Sequence, residues 1–184
     1  MAAEWSRIAR RIRVPMGFIF AGVYLWLAHP TYVSMAWSLL LVVPGLWLRG
    51  YAAGYVKKNA ELTMTGPYAH TRNPLYLGSM LIAFGFAAAS KSVVIVVLLA
   101  ILFALIYIPV IRSEEAFLRS VFADFDAYTA KVPRLLPRLT AARVGDSEPG
   151  RFSFPLYRKH REYNALMGAA AIYAVLALRI IFKH

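Results

Sequence analysis

Residues Gly66–Gly78, GPYAHTRNPLYLG, lie between two apolar stretches and set how the rest of the chain must run. Gly66-Pro67 and Asn73-Pro74 are turn dipeptides: each proline lacks an N–H, fixes its own φ and pushes the residue before it out of the helical region. Pro74 also suits the first turn of a helix, where a missing N–H costs nothing. The stretch therefore reads as a bent polar loop delivered onto the start of an apolar helix. Backbone donors at that helix start, with Arg72 beside them, suit an anionic or carboxylate group. A membrane-surface turn whose arginine anchors to lipid headgroups is the plainer reading of the same residues.

Around this loop the chain is apolar. Of 184 residues 60% are hydrophobic and 16% charged, with a mean hydropathy of +0.55. Soluble domains are nearer half apolar and a quarter charged, so the composition predicts an all-α polytopic membrane protein. Apolar periodicity and breakers divide it into about five spans: Val14–Ala28, Met35–Tyr55, Leu75–Ala89, Val93–Ile111 and Asn164–Phe182. Met1–Arg13 reads as a basic amphipathic arm, and Glu114–Lys131 as an amphipathic interfacial helix on the cytoplasmic side. Gly50-x-x-x-Gly54, and Gly78 with Gly85, are surfaces where another element can approach closely. By region, residues 1–139 form a membrane core, 140–163 a basic interfacial linker and 164–184 an additional C-terminal span.

The formal net charge is +12. On such a chain it fits topology and contact with anionic lipid headgroups rather than nucleic acid. The short turns after the first and third spans carry only Lys91, whereas the opposite segments hold Arg7, Arg10, Arg11, Arg13, Lys57, Lys58, Arg72 and most of the later basic residues. The N-terminus and the loop are thus expected to face the cytoplasm. With no cysteine, disulfides, thiolate nucleophiles and cysteine metal sites are excluded; no metal site is expected.

Arg112-Ser113-Glu114-Glu115 closes the fourth span. Adjacent carboxylates at membrane depth are costly unless paired, hydrated or bound to a cation. They could also simply favour a helix N-terminus.

Together these two elements resemble the integral-membrane methyltransferases that include the isoprenylcysteine carboxyl methyltransferases and phospholipid (phosphatidylethanolamine) N-methyltransferases. Gly66, Tyr68, Arg72, Asn73, Pro74, Tyr76 and Gly78 match the family's loop. Glu114, Glu115 and Leu118, then Phe122, Phe125, Tyr128, Val132, Arg134 and Pro137, match its later element. The resemblance spans about Tyr51–Pro137. It implies S-adenosyl-L-methionine as cofactor and a membrane lipid or lipidated small molecule as acceptor. The family's roles carry Tyr68, Arg72, Asn73, Pro74, Tyr76, Glu114 and Glu115 into the cofactor pocket, with Leu62 and Thr63 at the start of its loop. Glu114 or Glu115 would hold the cofactor's ammonium or ribose hydroxyls. Arg72 would take its carboxylate, and the tyrosines would offer π-faces to adenine or sulfonium. Glu115 is also a candidate proton acceptor for an amine substrate.

Three positions depart from the carboxyl methyltransferases. Asn73 and Ala60 stand where they have histidines, and Val110 where they have an arginine that meets the substrate carboxylate, leaving Arg112 as the nearest substitute. O-methylation of a carboxylate and N-methylation of an aminophospholipid both remain open. An NADPH-dependent membrane reductase of the sterol-reductase type and a non-catalytic lipid-binding scaffold are the competing classes.

Overall fold

The computed structural model describes residues 2–57, 61–144 and 150–182. Lys58, Ala60, part of the basic linker and Lys183 lie outside the described residues. Among these residues every regular element is helical. Three helices are long and apolar enough to cross a membrane, Tyr32–Ala53, Val93–Val121 and Tyr163–Phe182, and two shorter apolar stretches, Pro15–Leu27 and Pro74–Ala89, accompany them.

Helix α1 (Ala2–Leu27) is continuous, so the expected surface arm and first span form one rod. Ala9 of the arm buries against Ile106 and Val110, with Ile12 and, from the first span, Met16 packed beside them, while Trp5 and Ile8 stay exposed. Helix α2 (Tyr32–Ala53) starts on a reciprocal cap: Ser34 N–H donates to the Thr31 hydroxyl and Thr31 N–H to that of Ser34. Helix α3 (Pro74–Ala89) opens on Pro74, as its sequence requires.

Helices α2 and α3 are the most closely packed pair, because glycines let their backbones meet. A Cβ on Gly78 would lie 2.8 Å from the Gly45 carbonyl, and one on Gly45 would lie 2.8 Å from that of Gly78. Gly85 packs in the same way against Val42, so the Gly78/Gly85 face is a packing surface. At the end far from the loop, Tyr24, Val42, Phe86, Ile95, Leu99 and Leu176 form the main apolar core. Trp26, Trp37, Leu40, Trp47 and Phe182 stand exposed around it, which only an apolar solvent makes inexpensive.

Helix α4 (Val93–Val121) differs from expectation. The fourth span was expected to end at Ile111 and a separate interfacial helix to begin at Glu114; instead α4 runs unbroken to Val121. A π-turn at Phe103–Tyr107, with the Ile108 N–H bonded to the Phe103 carbonyl, absorbs the proline. Pro109 offers no N–H to Leu105 four residues back, and the Trp5 indole donates to that carbonyl at 3.0 Å. The chain turns extended at Phe122 before a short helix α5 (Phe125–Lys131). Helices α6 (Phe154–Lys159) and α7 (Tyr163–Phe182) complete the chain.

Candidate active site

The loop before α3 is held as a strap against the segment after α5. A 3-10 turn at Gly66–Ala69 begins at Gly66, whose φ of +59° is left-handed and whose hydrogen faces the Tyr55 ring. Backbone bonds then run from Arg72 N–H to the Pro133 carbonyl at 3.0 Å, Arg138 N–H to His70 at 2.9 Å and Ala142 N–H to Ala69 at 2.9 Å. The Tyr128 hydroxyl donates to the Tyr68 carbonyl at 2.7 Å. Burial raises the hydroxyl pKa of both Tyr68 and Tyr128 well above the ordinary phenol value, so both remain protonated donors rather than bases. Phe125, Tyr128 and Val132 pack with Ala142, Val144, Leu62 and Met64 beneath the strap. The aromatic pattern in the later element therefore serves to fasten the loop.

The strap, α3 and α4 enclose a cavity of about 590 Å³. Leu62, Thr63, Tyr68, Arg72, Asn73, Pro74, Tyr76 and Glu114 all line it, together with Tyr107 and Phe117. Residues far apart in sequence thus share one space. Glu114 is exposed on α4, and the Tyr76 hydroxyl donates to its Oε1 at 2.8 Å. Tyr107, positioned by the π-turn, meets Tyr76 edge to face at 6.1 Å and stacks on Phe103 at 4.4 Å. A carboxylate with two phenol faces beside it suits a cation.

Glu115 points the other way. It is buried at 6% exposure, and its Oε2 accepts from Arg134 Nε at 2.9 Å and Nη2 at 2.8 Å. The Asn73 amide donates to Oε1 at 3.3 Å, and Arg72 Nε lies 3.2 Å from the same oxygen. The last contact is an ion pair without hydrogen-bond alignment. The Arg72 Nη1 donates instead to the Thr129 carbonyl at 3.3 Å. Glu115 therefore binds the loop corner to Arg134 and does not line the cavity. Arg112 is exposed and does not line it either. Val110 is fully buried beside Ala9. His70 gives Nδ1–H to the Arg138 carbonyl at 2.8 Å, a structural contact on the strap.

Among the cavity residues given no role by the sequence are Tyr107 and a charged pair, Arg49 and Glu162. Arg49 of α2 donates from Nε to Glu162 Oε2 and from Nη2 to Oε1, both at 2.9 Å, and both residues line the cavity. A lone arginine inside an apolar span was the available signal, because such a charge needs a partner. A second, larger space, about 1070 Å³, adjoins the first between residues 55–65 and 150–159. It shares Lys57, Glu61, Leu62 and Thr63 with the first cavity, but not Glu114 or the α3 corner. Tyr68, Arg72, Asn73, Tyr76 and Glu114 line only the smaller space.

Residues 37–124 match the phospholipid methyltransferase family. The match contains the loop, α3 and the acidic pair, so this core segment is similar to that family. The chain is 38% identical over 111 residues to the nickel-cobalt-cadmium resistance protein NccN of Alcaligenes xylosoxydans xylosoxydans, covering 60% of this chain and 51% of that protein. It is 39% identical over 104 residues to the cobalt-zinc-cadmium resistance protein CzcN of Cupriavidus metallidurans, covering 56% and 47%. The chain thus spans about half the length of the curated relatives it matches. No solved structure matches it. With its apolar helices, the family match makes this an integral membrane protein.

Proposed function

We propose that this protein is a membrane methyltransferase that uses S-adenosyl-L-methionine and methylates a lipid or lipidated acceptor. One observation carries the reading: the Glu114 carboxylate, bonded to Tyr76, faces the cavity at the start of α3 within the family-matched segment. The cofactor supplies an electrophilic methyl group on a sulfonium, and this donor set fits it. Glu114 holds its ammonium or ribose hydroxyls, while Tyr76 and Tyr107 give π-faces to its positive charge. The corner at the start of α3 and the nearby Arg72 receive its carboxylate. The main work left to the protein is alignment and exclusion of water.

Glu115 is best read as a positioning group, since two arginines already share its oxygens. A guanidinium is missing from the position of Val110, and Arg112 does not reach the cavity, which favours an amine over a carboxylate acceptor. An amine must lose its proton before attack, to Glu114 or to water.

In this reading α1, α2, α3, α4 and α7 make five crossings. At 16 residues α3 is short for the roughly 30 Å of hydrocarbon, so its ends draw the interface inwards. The basic segments put the N-terminus and cavity mouth in the cytoplasm. The relatives' names direct the acceptor search to membranes of cells challenged with cobalt or cadmium.

The test is calorimetric binding of S-adenosylhomocysteine to detergent-purified protein. Binding should be saturable and should weaken roughly 10- to 100-fold in Glu114→Ala, as expected for loss of a charge-assisted hydrogen bond. A radiolabelled-methyl screen of amine-bearing and carboxylate-bearing lipids then identifies the acceptor. NADPH binding without S-adenosylhomocysteine binding would instead establish the reductase, and lipid association alone the scaffold.

A further inference from the structure

Arg49 and Glu162 pair in the lining of the cavity, and the reading above uses neither. A guanidinium in an apolar span requires a counter-charge. Glu162, from the residues just before α7, supplies it through a two-pronged pair. The remaining Arg49 nitrogen, Nη1, reaches the Leu75 carbonyl at 3.3 Å and also the Ser79 hydroxyl. One side chain thus ties α2, the first turns of α3 and the C-terminal segment together, and Leu75 directly precedes Tyr76, the partner of Glu114.

The segment that carries Glu162 is itself docked independently of this pair. Ser153 N–H donates to the Gly54 carbonyl at 2.8 Å, and the His160 ring donates to that of Ala53 at 3.1 Å. Phe152 stacks on Tyr51 with ring centres 6.1 Å apart. The Tyr157 ring lies 3.4 Å from where a Cβ on Gly50 would be. The Gly50-x-x-x-Gly54 face is therefore occupied by aromatic rings from this segment rather than by a membrane helix.

We propose that residues 152–161 dock Glu162 into the wall of the methyl-transfer cavity, where it is a positioning residue acting through Arg49 on the α3 corner. This rests on the cofactor reading above, and it removes the expected division between a core ending near residue 139 and a separate linker. Without Glu162, an uncompensated guanidinium is left facing the cavity. Arg49 then draws in water and anions and loosens its hold on Leu75 and Ser79, so that Tyr76 and Glu114 lose their alignment.

The experiment measures S-adenosylhomocysteine affinity of the full chain in detergent for wild type, Glu162→Gln, Arg49→Met and the double variant. Tyr173→Phe is the control, since it removes the hydrogen bond between Tyr173 and Ser38 that fastens the same C-terminal helix away from the cavity. Glu162→Gln should lose at least tenfold in affinity with helicity and elution volume unchanged. The double variant should be no weaker than the worse single variant, because two residues acting as one unit are not additive. Tyr173→Phe should bind as wild type does. Glu162→Asp, which keeps the charge, should recover part of the loss and serves if Glu162→Gln does not fold. Wild-type affinity in both Glu162 variants, strictly additive losses, or an equal loss in Tyr173→Phe would each overturn the proposal. Failure of the wild type itself to bind would instead sink the methyltransferase reading on which it stands.

Discussion

Glu114 and Glu115 are neighbours in sequence, yet they do opposite work, because successive residues on a helix point about 100° apart. One reaches the cavity; the other is buried among Arg72, Arg134 and Asn73. Substituting each should therefore give separable results. Glu115→Ala leaves the largely buried Arg72 without its carboxylate and should cost roughly 3 kcal/mol, read as a clear fall in the melting temperature in detergent. Glu114→Ala should leave that temperature nearly unchanged while losing ligand affinity. Equal thermal losses in both would contradict the assigned directions. Tyr128 gives a pH prediction. Its folded-state pKa is raised, chiefly by burial, so its contribution is complete below the ordinary phenol value near 10. That contribution is lost as the pH climbs from there through the raised value. The alkaline decline in melting temperature should accordingly be shallower in Tyr128→Phe than in wild type, even though losing the bond to Tyr68 lowers its stability at neutral pH by about 1 kcal/mol.

Among the elements, the α2–α3 pair sets the site, because α3 delivers the corner and α2 delivers Arg49. Their approach depends on hydrogen atoms at Gly45, Gly78 and Gly85. Gly78→Ala would bring a methyl to 2.8 Å from a backbone carbonyl and 2.6 Å from the Arg49 Cγ; the helices must separate. This variant should bind S-adenosylhomocysteine more weakly and melt earlier, whereas Gly17→Ala, with nothing within 4 Å of its added carbon, should do neither. The Gly78/Gly85 spacing made that surface legible in the sequence. The continuity of α4 was not legible, since a proline next to polar residues normally signals an end. What keeps α4 intact is a π-turn and an indole 100 positions away in the chain, and no local pattern announces either.

For the whole molecule, the proposed five-crossing arrangement is open to direct labelling, because the chain contains no cysteine. Single cysteines at Ser92 and at Thr65 should react with an impermeant maleimide from opposite sides of the membrane, Ser92 from outside and Thr65 only after the inner face is opened. Reaction of both from one side would refute the topology. The same experiment at Phe182 asks on which side α7 ends, which the inference about Glu162 requires to be the outer one.

The sequence by itself determined that this is an apolar helical protein and that residues 66–78 bend onto a helix start, as consequences of composition and of prolines that constrain their neighbours. That an acidic pair belongs with that bend was implied by the family resemblance. Only the tertiary structure decided which glutamate faces the cavity, that Arg112 stays out of it, and that Arg49 is answered from the C-terminal segment by Glu162. Such choices depend on helix rotation and on partners far apart in the chain, and a local pattern in the sequence encodes neither.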